Sequence, residues 1–322
     1  MKKKIYVLIA AALLWTGCEK EIPLDTDGIV PKPVAMGMVE EGDTLSVRLT
    51  YSHLIYGWHD ASDSYLTPID NAAVGLTVNG AVQGVVTVND SGTYVTGYVP
   101  QVGDKIDLKV TVPGHEVLTA STVVPKKPAL SGVRVIEGAT VNGNTTYDIR
   151  FTLADPAGEA NYYAVRLYQY DTAMFTYTDG NGNEVIDTMG TGPELMLFGC
   201  NDAAISSFSV TDVDIEGGVD ANMVELYFTD ENLDGEHHEI RLTGSSSTYD
   251  DETGLTIHKY VEVEVVALSR DRFLYEQSVE MARDDGDDFF QEPTQVHCNV
   301  KNGIGVFAAL SRVRFKTKVN GN

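Results

Sequence analysis

Val74-Gly75-Leu76-Thr77-Val78-Asn79-Gly80 alternates bulky apolar residues with small or polar ones and then stops on Asn-Gly. Neighbouring side chains on an extended strand point to opposite faces, so a period of two marks a strand with one buried face. Asn-Gly supplies the two left-handed residues that a tight hairpin needs, and Val85-Val86-Thr87-Val88 is expected to return from it. Thr44 to Thr50 and Ile106 to Val110 alternate in the same way. Short strands at this spacing, with no sustained helical period between them, predict an antiparallel sandwich.

Further along, Val123-Val124-Pro125-Lys126-Lys127-Pro128 reads as a connection, because two prolines within four residues interrupt pairing. A second block of strand patterns follows at residues 147–153, 162–170, 175–178, 225–228, 239–242 and 259–268, with a turn at Asp155-Pro156-Ala157-Gly158. One segment looks helical: Ser269 can cap a helix from Arg270 to about Ala282, with Arg272, Tyr275 and Val279 on one face. The expectation is an all-β protein of two antiparallel β-sandwich-like domains, residues 34–124 and 130–322, joined by a linker at 125–129, with one short helix near the C-terminus.

The first residues have a different character. Lys2, Lys3 and Lys4 precede an apolar run from Ile5 to Trp15, which ends in Thr16-Gly17-Cys18. That run is roughly half the ~20 residues a spanning helix needs, and residues 1–17 read as a lipoprotein signal peptide. Cys18 is then the lipidated residue, although Trp15 stands where such leaders usually carry leucine. Residues 18–33, with Glu19, Glu21, Pro23, Pro31 and Pro33, read as an acidic, extended tether. Attachment to a membrane through the lipid is expected, at the outer membrane and facing the cell surface.

The chain has 23 Lys and Arg against 47 Asp and Glu, a formal charge of −24 that becomes more negative once the three leader lysines are removed. Such a surface repels phosphate backbones, which argues against nucleic acid as a partner. With Cys18 taken by lipid, Cys200 and Cys298 remain. An oxidising compartment allows them to pair; the alternative is two buried thiols.

Several segments together resemble a known family, the Bacteroidota lipoproteins grouped as domain of unknown function 4249. They are Val110-Thr111-Val112-Pro113-Gly114-His115-Glu116 with Ala120 to Pro125, Asp155-Pro156-Ala157-Gly158-Glu159-Ala160-Asn161-Tyr162-Tyr163, Phe228-Thr229-Asp230 through Asp234-Gly235, and Asn299-Val300-Lys301-Asn302-Gly303-Ile304-Gly305-Val306-Phe307. The resemblance covers nearly all of the chain beyond the leader. It implies a cell-surface or outer-membrane lipoprotein, often encoded beside a TonB-dependent receptor, which makes such a receptor the expected partner. It transfers no catalytic residue.

Motifs that carry chemistry are absent from the sequence or incomplete in it. There is no Gly-x-Ser-x-Gly elbow and no phosphate loop. His115-Glu116 sits in a strand pattern without the second histidine of a zinc helix, and His237-His238 point to opposite faces if extended. Asp179-Gly180-Asn181-Gly182-Asn183-Glu184 begins like a calcium loop, but Glu184 and Gly190 occupy the places of its glycine and its bidentate glutamate, so a hairpin turn is expected. Asp284 to Asp288 reads as a solvated acidic loop. No catalytic residue, metal or cofactor is therefore expected.

The sequence does offer one contact surface. Between Tyr51 and Tyr65 the strand series is interrupted, and Tyr56 and Trp58 are expected to touch a partner or ligand, with Asp60 and Asp63 as a polar rim. The alternative is that these aromatics close the core. The function expected is a non-catalytic surface lipoprotein serving a TonB-dependent importer; a surface glycan or peptide hydrolase and an adhesin-like module are the alternatives.

Overall fold

The computed structural model describes residues 30–53, 66–84, 87–141, 144–190, 192–200, 202–205, 207–211, 223–247, 256–284 and 294–320. Lys32–Asn322 form one compact unit. Its first strands are β1 (Pro33–Glu40), β2 (Ser46–Tyr51), β3 (Thr67–Pro68), β4 (Ala73–Val78), β5 (Ala81–Val82), β6 (Thr87–Val88), β7 (Thr93–Val95), β8 (Lys105–Thr111) and β9 (Leu118–Val123). Beyond the proline connection follow β10 (Ala129–Val141), β11 (Asn144–Ala154), β12 (Tyr162–Thr178), β13 (Glu184–Gly190), β14 (Glu194–Leu195), β15 (Leu197–Cys200) and β16 (Ser207–Thr211). The chain continues through β17 (Met223–Thr229), β18 (His237–Ser247), β19 (Thr256–Leu268), helix α1 (Arg270–Asp284) and β20 (Phe307–Lys318).

The expected hairpin forms, with Asn79 and Gly80 both at positive φ. Its return strand is not the expected one. Only Ala81 and Val82 pair with β4, and both are exposed, so no buried face holds the chain there. Thr87 and Val88 instead pair with β7 in the other sheet.

Among the described residues the protein is all-β with one helix, and the strands form two sheets. The small one runs β5-β4-β8-β9. The large one has sixteen strands and runs β10-β11-β18-β15-β17-β12-β19-β20-β1-β2-β7-β6, with β13 and β14 on β12, β16 on β17 and β3 on β2. Two cores result. In the first, Ala35, Val47 and Leu49 of the large sheet face Leu76, Ile106, Leu108 and Leu118 of the small one. In the second, the large sheet curls around Tyr147, Phe151, Phe198, Phe228, Val263 and their neighbours. Its β10 edge meets the residue that follows β20, where Asn320 accepts from the Glu137 N–H (3.0 Å) and donates to the Val135 carbonyl (3.1 Å).

The C-terminal segment crosses the boundary that the sequence suggests. Val300, Phe307 and Ala309 belong to the first core, and β20 lies parallel to β1 with Gly37 opposite Phe307. A Cβ built on Gly37 would lie 2.4 Å from the Phe307 ring, so glycine there makes room for the fully buried phenylalanine.

The helix starts where expected. Ser269 Oγ accepts the N–H of Arg272 (3.4 Å) and of Ala309 (3.0 Å), so the cap also ties α1 to β20. Phe273 and Glu280 are its buried residues, while Arg272, Tyr275 and Val279, which share a face, are half-buried. Phe273 sets the rotation, because it fits a patch made by Tyr162 and Phe208, with ring centroids at 5.1 and 5.3 Å. Residues 162–170 and 175–178, read separately in the sequence, form the single strand β12.

Candidate functional site

Strand alternation builds a charged face on the outside of the large sheet. Val261, Val263 and Val265 of β19 point into the second core, so Glu262 and Glu264 point outward. Glu264 is opposite Arg166 of β12 and Arg314 of β20. Its Oε1 accepts from Arg314 Nε (2.8 Å) and Arg312 Nη1 (2.9 Å), and its Oε2 lies 3.6 Å from Arg166 Nη1. Arg166 Nη2 is 2.6 Å from Glu225 Oε1. The result is a row of alternating sign, Arg314–Glu264–Arg166–Glu225, on neighbouring strands. Glu264 has no exposed surface. Burial pushes its carboxyl up, but Arg314 and Arg312 outweigh this and hold it below the ordinary range.

The row divides the face. On one side, α1 covers the apolar patch of Ala164, Tyr227, Val266 and Leu268. On the other, Tyr168, Tyr170 and Tyr260 are half-buried. Tyr168 and Tyr170 donate to Glu264 (3.3 Å) and Glu262 (3.2 Å). Lys316 Nζ lies 3.3 Å from the Tyr170 ring centroid and 5.4 Å from that of Tyr260. Aromatic rings, fixed cations and carboxylates held on strands can bind and orient a partner. A shallow apolar groove continues the face across β1 and β2, lined by Met36, Met38, Arg48 and Leu66.

Among the described residues one group of acids could hold a metal: Asp155, Asp230 and Asp234. Their oxygens are engaged in joining two turns. Asp155 accepts from Tyr163 Oη (2.7 Å) and the Gly235 N–H (3.1 Å), Asp230 from the Asn161 N–H (2.7 Å), and Asp234 from the Gly158 N–H (2.6 Å). Burial pushes the Asp155 carboxyl up against the pull of those two bonds, with Asp230 and Asp234 adding to the rise. A Cβ on Gly235 would meet that of Ala157 at 2.7 Å. The cluster is a clasp between the segments 155–163 and 228–235.

The segment 299–307 is a second clasp. Asn299 bonds both backbone groups of Phe307, and Gly303 and Gly305 lie against the β1 backbone, where a Cβ would come within 2.9 Å of the Pro33 carbonyl and 2.1 Å of the Ala35 carbonyl.

Of the residues singled out in the sequence, Cys18, Tyr56, Trp58, Asp60 and Asp63 lie outside the described residues, as do Asp285 to Asp288. The bridge between Cys200 and Cys298 is not made: both thiols are free. Cys200 packs on the second core from β15, whereas Cys298 is exposed in the segment that returns to the first, with Sγ 3.6 Å from the Val300 carbonyl. Burial pushes the Cys200 thiol up. His115 lies in a turn at Gly114 (φ 80), not a strand. Asp179 closes the expected hairpin by accepting the N–H groups of Asn181 and Asn183. His238 Nε2 lies 2.7 Å from Asp202 Oδ2, and His237 is exposed. The charged row was not anticipated, though its signal is present: Glu262 and Glu264, and Arg312, Arg314 and Lys316, recur at every second residue.

A family model described as Domain of unknown function (DUF4249) matches residues 19–316. No curated protein matches the sequence. Among solved structures, the major pilin subunit of Bacillus cereus is similar at 14% identity and a TM-score of 0.20, over 73% of this chain and 64% of that one. A structure of manganese lipoxygenase of Gaeumannomyces graminis with part of zonadhesin of Komagataella pastoris is similar at 10% identity and a TM-score of 0.17, over 74% and 90%. Likenesses this slight bear on neither fold nor function.

Proposed function

The chain belongs to the family of domain of unknown function 4249, and from that membership we propose that it is a non-catalytic lipoprotein, anchored by acyl chains on Cys18 to the outer membrane and exposed at the cell surface. It serves a TonB-dependent importer there, by capturing ligand or by bracing the mouth of the transporter.

The observation that supports this reading best is the place of β1. The strand that follows the tether is an interior one, antiparallel to β2 on one side and parallel to β20 on the other. A pull at the anchor therefore acts on the middle of the large sheet, and side chains held on its strands keep their positions, as a docking surface requires.

Affinity purification of the tagged protein from native outer membranes tests the reading. A TonB-dependent barrel enriched over an unrelated surface lipoprotein is the expected result; recovery of the protein without any such barrel overturns the importer role.

A further inference from the structure

β9 ends the small sheet, with β8 on one side of it only. Its register sets Ala120 opposite Leu108 and Thr122 opposite Ile106. Just past its end, Val124 donates to the Asp104 carbonyl (3.0 Å) and accepts from the Gly103 N–H (2.9 Å). Residues 120, 122 and 124 therefore turn their backbone groups toward β8, and Thr119, Ser121 and Val123 turn theirs outward. Thr119 bears out the alternation, because its N–H and carbonyl pair with Lys301 (3.3 and 2.9 Å). Among the described residues nothing takes the outward N–H and carbonyl groups of Ser121 and Val123.

The chain leaves this edge for an identifiable reason. Antiparallel pairing continued from Thr119 and Lys301 would set Asn299 opposite Ser121 and His297 opposite Val123. Asn299 is held instead by Phe307. His297 is held by α1, its N–H on Ser278 Oγ (2.8 Å) and its ring on Asp271 (2.9 Å).

The open edge is one wall of a cleft of about 540 Å³, whose other wall is made by residues 159–162 and 268–271, a size usual for ligand sites. Val123, Pro125, Tyr162 and Leu268 give the cleft apolar surface, and Val123 is exposed in it. Its charges balance: Lys126 and Arg270 stand against Glu159 and Asp271, and Lys126 is bound to Glu159 (2.6 Å). The lining selects for no charged ligand. It offers backbone donors and acceptors that recur every ~6.8 Å along a line, a spacing that matches another extended polypeptide.

We propose that this cleft binds an extended peptide segment of a partner protein, which joins the small sheet by pairing with Ser121 and Val123 and lays apolar side chains against Tyr162 and Leu268. A second copy of this chain is not the occupant, because its own β9 edge lies behind the same wall and two such edges cannot meet. The surface lies apart from the charged row, and the inference holds whether or not the partner is an importer.

The probe is a random octapeptide library displayed on phage; the peptide most enriched on the full chain in detergent is then synthesised and titrated. Hydrogen exchange at the Ser121 and Val123 amides should slow by ~10-fold or more when it binds, and N-methylation of every second peptide residue should weaken binding by ~10-fold, with the intervening positions tolerant. Val123→Pro removes an outward N–H where an edge strand tolerates proline and should weaken binding by ~10-fold, whereas Val123→Ala keeps the N–H and should stay within ~3-fold. If Val123→Pro lowers the melting temperature, exchange and N-methylation on the wild-type protein still decide. No enriched peptide, unchanged exchange at both amides, or equal tolerance of N-methylation at all positions would each overturn the proposal. The assay contains no importer, so its outcome and the co-purification result can fail independently.

Discussion

Asn299 holds Phe307 by both of its backbone groups: Nδ2 donates to the Phe307 carbonyl at 2.9 Å and Oδ1 accepts the Phe307 N–H at 2.8 Å. This pair closes the segment that carries the chain from the second core back to the first. Asn299→Ala removes two hydrogen bonds and leaves a part-buried donor and acceptor without partners, at a cost of about 2–3 kcal/mol. Differential scanning calorimetry should show a melting temperature lower by several degrees, and an unchanged value would mean that water replaces the side chain freely.

Glu264 holds together the charged row on the outer face. Glu264→Gln leaves Arg166, Arg312 and Arg314 without their shared carboxylate. Because those arginines are partly exposed, the expected loss is about 2–4 kcal/mol, below that for a fully buried pair. Its folded pKa is lowered, so the carboxylate contributes stability above its unfolded value, roughly pH 4.3, and loses it as pH falls through the folded value. Urea titrations between pH 6 and 3 should show the wild type weakening below about pH 4, with a shallower slope in the variant.

Gly37→Ala places a methyl group into the Phe307 ring. Overpacking of this kind costs about 1–3 kcal/mol. Pairing it with Phe307→Leu should recover part of the loss, and a double-mutant cycle without coupling would show that the ring moves aside at no cost.

Both thiols should be free in the folded protein. Maleimide labelling without denaturant is expected to modify Cys298 quickly and Cys200 slowly, since burial keeps the Cys200 thiol protonated. Labelling after unfolding without reductant should reach both, and protection of both at that point would reveal a bridge.

Much of the architecture was legible in local patterns. Period-two alternation gave the strands, Asn79-Gly80 the hairpin and Ser269 the helix start. These features are readable because each depends on neighbours within a few residues. The segments that carry the family likeness were recognised as strings, but their purpose was not. Asp155, Asp230 and Asp234 are up to 79 positions apart, and only the fold shows them holding two turns together.

Sequence by itself determined the all-β class, the strand periods, the acidic balance and the family. Tertiary structure alone decided that β20 leaves the second core to lie beside β1, that Cys200 and Cys298 stay apart, and which charges meet on the sheet. The physical reason is register. Alternation along one strand says which side chains share a face, but the partner opposite each of them is chosen by long-range packing, such as Phe307 seated over Gly37, and a shift of one residue would rearrange every ion pair on that face.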